Sequence, residues 1–367
     1  MSAPFTPLVA GLPASVPFVG PERQERERGR PFAARIGANE NVFGPSPLAI
    51  EAMQRTAPGM WMYCDPDNHD LREALAAEHR LPPACIVIGE GIDGLLGCTV
   101  RMFVEPGAKV VTSAGAYPTF NYHVTGFGGA LVPVPYRDDA EDAQALAEAA
   151  HESGARLVYL ANPDNPMGTW HGAERVGALL DALPEGCLLC LDEAYVEFAP
   201  EGTAPAWDPS DPRVIRFRTF SKAYGLAGLR VGYAVAAPPT AAAYDRIRNH
   251  FGVSRMAQAA AAAALGDDAH LAGVQAAVMA ARIRIGEIAA ANGLDCLPSA
   301  TNFVAVDCGR DGDFARRVLA GLLRRDIFVR MPGVAPLDRC IRITAGRARD
   351  LELLAAALPE ALAEARG

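Results

Sequence analysis

Strand-like and helix-like segments alternate through the middle of this 367-residue chain, and this alternation restricts the fold more than any other feature. Short apolar runs of strand type lie at Cys85–Ile88, Val110–Thr112, Leu131–Val134, Leu157–Leu160, Leu188–Leu191, Val214–Phe217 and Val231–Val235. Helical patterns fall between several of them, for example over Asp142–Ala150 and Ala173–Leu183. Such alternation is typical of a mostly parallel sheet with helices on both faces. We therefore predict an α/β fold whose large domain has three layers.

The last third of the chain follows a different pattern. Alanine-rich helical segments extend from Thr240 to Asn292, and a further helix is predicted over Phe314–Leu323. The strands predicted in this part are Phe303–Val306, Ile327–Arg330 and Ile341–Thr344. This mixture predicts a smaller α+β domain. We expect an N-terminal arm over residues 1–46 that joins the small domain, a large domain over 47–238 and a small C-terminal domain over 239–367.

Two helix starts carry side-chain signals. Ser46 precedes a proline, and serine caps helices whose first turn accepts proline. Asp70 and Glu73 have the spacing of a capping box, which predicts a second start at that point. Leu71 and Leu75 are four residues apart, so they should share one buried face of this helix.

Composition and charge exclude several classes of protein. The formal net charge is −9 and no basic cluster is present, so nucleic acid is not an expected partner. No apolar run reaches the roughly 20 residues that a membrane helix needs. Residues 1–20 also lack the features of a signal peptide, so we expect a cytoplasmic protein. Cys187 and Cys190 lie in an apolar strand run and are interpreted as buried thiols, and no metal site is predicted.

Lysine is rare in this chain, and one of its two lysines lies in a chemically suggestive place. The 34 Lys and Arg residues include only Lys109 and Lys222, so arginine supplies all the others. Arginine replaces lysine as a surface cation, but not as an amine that loses its proton and condenses with a carbonyl. Lys222 is therefore predicted to be a covalent nucleophile toward an aldehyde cofactor such as pyridoxal phosphate.

Polar side chains follow two of the predicted strands. Asp192 ends the strand Leu188–Leu191, and the loop Asn162–Gly168 follows the preceding strand. Ligands of open parallel sheets bind beyond the carboxyl ends of the strands. A carboxylate there would keep the ring nitrogen of a pyridoxal cofactor protonated, and Tyr195 and Asn165 would hydrogen-bond its phenolate oxygen. The alternatives are a helix cap for the aspartate and an ordinary turn for the loop.

The segment Gly89–Gly94 has the glycine spacing of a dinucleotide fingerprint. It follows a predicted strand and precedes the helical run Leu95–Phe103, but no acidic residue ends the next strand, as a ribose contact requires. Free amides at a helix N-terminus bind phosphate in either case. The backbone of Gly91, Ile92 and Asp93 is therefore predicted to bind the phosphate of the cofactor.

Five further side chains are predicted to contact the cofactor or the substrate. Ser221 and Arg230 would supply a hydroxyl and a bidentate cation to the same phosphate. Phe120 would stack on the cofactor ring, although core packing is equally typical of such a residue. Arg342 lies between β-branched residues, so its side chain should stand on the face opposite theirs. This fork, and that of Arg330 in the preceding strand, would suit a substrate carboxylate or phosphate.

Taken in order, these segments resemble a fold-type I pyridoxal-phosphate aminotransferase, in the histidinol-phosphate aminotransferase branch. The resemblance runs from about residue 36 to residue 349. Besides the motifs above, it includes Asn39-Glu40-Asn41, Gly44-Pro45-Ser46-Pro47, Tyr63 before Asp65-Pro66, Thr301-Asn302-Phe303 and Arg342 to Gly346. It implies a transaminase that passes the amino group of L-histidinol phosphate to 2-oxoglutarate, giving imidazole acetol phosphate and glutamate.

The resemblance also implies how the substrate is held and how the chain assembles. In this family the tyrosine that matches Tyr63 reaches the cofactor phosphate of the neighbouring subunit, which implies a homodimer with shared sites. The residue that matches Arg342 binds the carboxylate of the substrate or of 2-oxoglutarate. Arg330 matches the residue that helps to hold the substrate phosphate, and Asn39 is assigned to substrate binding. Lys222 matches the lysine that carries the cofactor.

Three positions depart from the family pattern. Phe18 stands where a tyrosine usually contacts the substrate phosphate, Ile92-Asp93-Gly94 replaces Ser/Ala-Asp-Glu, and Cys64 replaces a proline. They remove no catalytic group, but they leave open another amino donor such as an aromatic amino acid. The other open alternatives are a pyridoxal-phosphate-dependent decarboxylase of a phosphorylated amino acid, a non-enzymatic pyridoxal-phosphate-binding regulator and a nicotinamide-dependent dehydrogenase.

Overall fold

The computed structural model of the protein describes residues 3–13 and 19–367, in which twelve strands form three sheets. The strands are β1 (Ala34–Arg35), β2 (Ile86–Gly89), β3 (Lys109–Ser113), β4 (Ala130–Val134), β5 (Leu157–Ala161), β6 (Leu188–Asp192), β7 (Val214–Thr219), β8 (Gly232–Val235), β9 (Asp295–Cys296), β10 (Phe303–Asp307), β11 (Ile327–Phe328) and β12 (Cys340–Thr344). The α-helices are α1 (Pro7–Gly11), α2 (Pro21–Arg28), α3 (Pro47–Thr56), α4 (His69–His79), α5 (Gly91–Phe103), α6 (Pro118–Gly126), α7 (Ala143–Ser153), α8 (Ala173–Asp181), α9 (Pro238–Ala243), α10 (Arg255–Leu265), α11 (Asp268–Ala291), α12 (Gly312–Arg324) and α13 (Ala348–Arg366). Within these described residues, no helix combines the length and the apolarity that crossing a bilayer requires.

The central sheet has seven strands in the order β2-β8-β7-β6-β5-β3-β4. Strands β4, β3, β5, β6 and β7 are parallel to one another, and β8 is antiparallel to both of its neighbours. The predicted mostly parallel sheet is therefore confirmed, with β8 as its one reversed strand. Because the parallel strands share one direction, their carboxyl ends lie along the same edge.

Burial on both faces explains why the central strands are continuous apolar runs. In β5, Leu157 and Tyr159 pack in one core with α5 and α6, whereas Val158 and Leu160 pack in another with α7 and α8. All four side chains are buried. A strand covered by helices on both faces needs apolar residues at every position, without polar alternation. The predicted three-layer arrangement follows from these two cores.

A smaller α+β unit is formed by the C-terminal part of the chain, from α11 onward, together with the N-terminal segment, which precedes α3. Strand β10 pairs antiparallel with β9 and β12, and β1 pairs in parallel with β11. Helices α11, α12 and α13 share one core with these strands, where Val318 and Leu354 have no exposed surface. The pairing of β1 with β11 holds the N-terminal segment against this unit.

The packing of α10 bears on where the two units divide. Ala257 and Ala260 of α10 are buried against Ala49 of α3 and Leu75 of α4, beside strands β2 and β8. Helix α11, in contrast, buries its apolar residues in the core of the smaller unit. We therefore propose that the large unit extends to about residue 266, later than the sequence alone suggested, and we keep the three-part division as a proposal.

The two predicted helix starts have different outcomes. The Ser46 cap is confirmed, because its hydroxyl accepts a hydrogen bond from a first-turn amide over 3.0 Å. The capping-box prediction is wrong, because α4 begins one residue before Asp70 and its first amide donates to the Asp65 carboxylate over 2.8 Å. The predicted buried face of this helix is confirmed at Leu71 and Leu75.

Gly225 lies where the loop after β7 meets the N-terminal segment. Its φ is 69°, and a Cβ at this position would lie 2.5 Å from the carbonyl oxygen of Gly44. Gly225→Ala is expected to lower the free energy of unfolding by about 2–4 kcal/mol. The left-handed backbone conformation is unfavourable for alanine, and its Cβ would also clash with the backbone of Gly44. Urea unfolding followed by circular dichroism measures this change.

The matched control is Gly228→Ala in the same loop. No described heavy atom lies within 4 Å of a Cβ built at Gly228, and its φ is not positive. This variant should change the unfolding free energy by less than about 1 kcal/mol. Equal losses in the two variants would contradict the close approach of the loop to the N-terminal segment.

Candidate active site

The carboxyl ends of the parallel strands bring the predicted site residues to one edge of the central sheet. Strands β5 and β6 end side by side at Ala161 and Asp192. Strand β7 ends next to β6 and leads into the loop that carries Lys222. At the same edge β2 ends and β8 begins, where Gly89 pairs with Gly232. Ligands of open α/β sheets bind at this edge, so the fold itself marks the candidate site.

Lys222 is partly buried, and its amine lies against the N-terminal segment. Its Nζ donates to the carbonyl oxygen of Asn39 over 3.2 Å and lies 5.4 Å from the centre of the Tyr195 ring. The side-chain amide of Asn39 donates to the Tyr195 hydroxyl over 3.0 Å, and the Thr344 hydroxyl donates to the Asn39 side-chain oxygen over 3.1 Å. Residues from four distant parts of the chain therefore meet around this amine.

Asp192 is buried, and its carboxylate is held from two sides. The Tyr159 hydroxyl donates to Oδ2 over 2.7 Å, and the amide of Ala194 donates to Oδ1 over 3.0 Å. Burial raises the pKa of Asp192 to about 6, although both hydrogen bonds oppose this rise. Above that pH the side chain is a fixed, buried anion, which suits pairing with a positively charged ring nitrogen.

A helix N-terminus, a serine and an arginine meet at one point of this edge. Helix α5 begins with Gly91, Ile92 and Asp93, and the side chain of its N-cap residue, Glu90, makes no capping hydrogen bond. A Cβ on Gly91 would lie 2.6 Å from Arg230 Nη2, and Arg230 Nη1 donates to the Ser221 hydroxyl over 3.4 Å. Backbone amides, a hydroxyl and a guanidinium together bind phosphate groups.

Two arginines of the smaller unit complete the site. Arg342 lies between buried isoleucines, as predicted, and its Nη1 donates to the side-chain oxygen of Asn165 over 2.5 Å. Burial lowers the pKa of Arg342 to about 10, and its buried Nε has no hydrogen-bond partner among the described residues. The backbone of Arg330 pairs with that of Arg342, and its guanidinium donates to the carbonyl of Val19 over 3.0 Å. Two cations and an unsatisfied donor thus lie side by side.

Two buried carboxyl groups support the loop after β5. The Ser113 hydroxyl donates to Glu141 over 2.8 Å, and the Tyr136 hydroxyl and the Met167 amide donate to Asp164 over 2.8 and 2.9 Å. Burial raises the pKa of Asp164 to about 6 and that of Glu141 well above its ordinary value. Burial therefore favours the neutral form of both carboxyl groups, and hydrogen bonds from Ser113, Tyr136 and Met167 hold them in place.

Phe120 lies in the core, where its ring presents no surface to a cofactor. It has no exposed surface, and its ring stacks on Tyr159 with centroids 4.5 Å apart and planes 16° apart. Tyr117 is only partly buried, and its hydroxyl donates to Asp93 on the first turn of α5 over 2.8 Å. We therefore propose that Tyr117, and not Phe120, stacks on the cofactor ring. Its position just after β3 was a signal that the sequence analysis missed, whereas nothing in the sequence marked Tyr159.

Tyr63 lies on the surface, outside this group. Its side chain is 80% exposed and its ring lies 5.0 Å from that of Phe251, while the nearby Trp61 is 83% exposed. In the described part of the chain, no hydrogen bond or ring contact joins Tyr63 to the residues around Lys222. Phe18, the predicted departure in the arm, lies outside the described residues.

The cysteines are free thiols. All eight are unpaired, and burial raises the pKa of both Cys187 and Cys190 above its ordinary value. Thiols of this kind are poor nucleophiles and act as small apolar side chains. Over residues 3–13 and 19–367, no group of three His, Cys, Asp or Glu side chains is placed to hold a metal ion.

Known proteins resemble this chain along nearly its whole length. Residues 34–358 match the family model of aminotransferase class I and II. The histidinol-phosphate aminotransferase of Anaeromyxobacter sp. is 38% identical over 360 residues, which cover 96% of this chain and 97% of that protein. Histidinol-phosphate aminotransferase 1 of Nitrosococcus oceani is 37% identical over 359 residues, with 96% of each chain covered.

A solved structure is also similar in both fold and sequence. It is the crystal structure of histidinol-phosphate aminotransferase from Sinorhizobium meliloti in complex with pyridoxal-5'-phosphate. The TM-score is 0.95 and the identity 57%, with 99% of this chain and 98% of that one covered. The family model and these relatives agree, and the chain belongs to the aminotransferase class I and II family.

Proposed function

We propose that this aminotransferase depends on pyridoxal phosphate and transfers the amino group of L-histidinol phosphate to 2-oxoglutarate, giving imidazole acetol phosphate and glutamate. The observation that carries the proposal is that Asp192 ends β6 while Lys222 lies in the loop after the adjacent strand β7, at the sheet edge where α5 also begins. The names of the relatives support the substrate, and the ligand of the Sinorhizobium meliloti structure supports the cofactor.

The side chains at the sheet edge fit this cofactor. Ser221, Arg230 and the first turn of α5 would bind its phosphate, because they present a hydroxyl, a cation and free amides at one point. Asp192 would hold a proton at the ring nitrogen, since it is a buried anion above about pH 6. Tyr195 and Asn165 would hydrogen-bond the phenolate oxygen.

Lys222 carries out the proton transfers, and Arg342 and Arg330 bind the substrates. When bound, the cofactor supplies an aldehyde that captures amines and a ring that withdraws electrons. Nζ of Lys222 would take the proton from Cα of the amino donor as a general base and would deliver it, as a general acid, to the aldehyde carbon of the cofactor. The fork of Arg342 binds a substrate carboxylate, and Arg330 binds the phosphate of the donor. The donor leaves its amino group behind and departs as its oxo product before the keto acid enters, so one site would serve both substrates in turn.

We further infer a homodimer with shared sites. Trp61 and Tyr63 expose large aromatic side chains on one segment, and such surfaces mark interaction sites. The family resemblance supports the same contact, with Tyr63 reaching the cofactor phosphate of the neighbouring subunit. Light scattering is expected to give twice the 38.7 kDa mass of the chain, and a monomeric mass would contradict the inference.

We infer a cytoplasmic location as well. The eight cysteines are free thiols, and six of the eight are buried, which suits a reducing compartment. Immunodetection after cell fractionation should find the protein with cytoplasmic markers. Recovery with a periplasmic or membrane fraction would contradict the inference.

The substrate assignment is tested by following glutamate formed from 2-oxoglutarate with a series of amino donors. Histidinol phosphate is expected to exceed histidinol in kcat/KM by about 100-fold or more, because two charge-assisted hydrogen bonds to phosphate each contribute about 1.5–3 kcal/mol. Tyrosine and phenylalanine are the comparison donors. Formation of glutamate with these two donors but not with histidinol phosphate would show that the amino donor is an aromatic amino acid. Release of carbon dioxide without glutamate would favour a decarboxylase.

Lys222→Ala is expected to lower kcat by about 10³-fold or more, because the variant lacks both the amine and the general base. Lys222→Arg keeps the positive charge but not the nucleophile, so it should be equally inactive. Borohydride reduction of the cofactor-loaded protein, followed by peptide mass mapping, should label Lys222 in the wild type only. Full turnover by either variant would disprove the assignment.

Asp192→Asn is expected to gain stability relative to the wild type as the pH rises. The folded pKa of about 6 lies above the unfolded value of about 3.9, so the ionised group destabilises the fold fully above the folded pKa and little below the unfolded one. From about pH 4.5 to about pH 7.5, the variant should gain about 2 kcal/mol on the wild type in unfolding free energy. Urea titrations of the cofactor-free proteins measure this, and a difference that does not vary with pH contradicts the buried anion.

A further inference from the structure

Tyr159 contacts the carboxylate of Asp192 from within the core. It lies on β5, has no exposed surface, and donates its hydroxyl hydrogen to Asp192 Oδ2 over 2.7 Å. The ring of Phe120 covers the Tyr159 ring, with planes only 16° apart. The surroundings are otherwise those of an apolar core between the sheet, α5 and α6. A strand position of this kind is ordinarily filled by an apolar residue, so a hydroxyl group at this position is unusual.

The hydroxyl has one orientation open to it. A hydroxyl buried in an apolar core is stable only with a hydrogen-bond partner, and Asp192 is that partner among the described residues. Burial raises the pKa of Tyr159 well above its ordinary value, so the phenol stays protonated and acts as a donor. Donation to a carboxylate favours the ionised form of that carboxylate.

We propose that Tyr159 is a positioning residue for the transamination proposed above, holding the Asp192 carboxylate ionised and oriented toward the ring nitrogen of the cofactor. Its bond to Oδ2, with that of Ala194 to Oδ1, fixes the plane of the carboxylate. Burial and the negative charges of Asp93 and Glu193 favour the neutral form, and Tyr159 opposes all three. Phe120 has a part in this arrangement, because its stacked ring holds the phenol in place.

The test compares Tyr159→Phe with Tyr244→Phe. Tyr244 belongs to the same core, also has no exposed surface, and shares a hydrogen bond with the Thr99 hydroxyl over 2.5 Å. Both variants lose one buried hydroxyl, so the melting temperature of each cofactor-free protein records its general loss of stability, separately from any effect on the cofactor. Only Tyr159→Phe should raise the Kd for pyridoxal phosphate and lower kcat, each about tenfold, with KM for the donor changed less than about threefold.

A double-mutant cycle separates positioning from general packing. If Tyr159 acts through Asp192, then Tyr159→Phe should leave the Kd for pyridoxal phosphate unchanged in an Asp192→Ala background. A further rise of Kd in that background would overturn the proposal. Should Tyr159→Phe fail to fold, Phe120→Leu gives a second measurement, because loosening the phenol should raise the same Kd only while Asp192 is present.

The inference rests on the proposed function, and the two fail in different ways. A wild type that binds no pyridoxal phosphate overturns the proposed function and this inference together. A wild type that binds the cofactor, with Tyr159→Phe matching Tyr244→Phe in Kd and kcat, overturns the inference alone. A tenfold loss confined to Tyr159→Phe and absent without Asp192 supports it.

Discussion

The register of three parallel strands decides where the polar chemistry of this protein is placed. Strands β5, β6 and β7 are paired so that Ala161, Asp192 and Phe217 stand in one row. The loops that follow carry Asn165, Tyr195 and Lys222. A shift of one residue in β6 would turn Asp192 to the opposite face of the sheet, away from the phenol of β5. Apolar pairing in the core therefore positions an acid that is itself unfavourable to bury.

Several buried polar groups weaken the fold and at the same time prepare the site. Four ionisable side chains are removed from water: the carboxyl groups of Asp192, Glu141 and Asp164 and the guanidinium of Arg342. Burial shifts the pKa of each in the direction that favours its neutral form. Such groups persist where hydrogen bonds hold them and where they act on a ligand. Arg342 joins this set only because the smaller unit packs against the large one, bringing its fork to Asn165.

Sequence reasoning succeeded where the signal was local and failed where packing or backbone conformation decided the outcome. The face of Arg342 was predicted correctly, because alternation along a strand is local and two buried isoleucines define it. Phe120 was assigned to the cofactor, but the side of α6 that meets the core depends on how the helix lies across the sheet, and that side holds Phe120 against Tyr159. The helix near Asp70 is present, but its predicted capping box is not, because Asn68 adopts a left-handed conformation that lets Asp65 reach the first amide.

The amino-acid sequence by itself determined the α/β class, the positions of ten of the twelve described strands and the chemical character of Lys222, Asp192 and Arg342, because these follow from periodicity and from the side chains themselves. Only the tertiary structure decided which aromatic lies near the first turn of α5, that Asn39 contacts the lysine, and that a tyrosine of β5 donates to the aspartate. The physical reason is distance along the chain. Contacts between residues far apart in sequence arise from the packing of whole elements, and no local pattern records them.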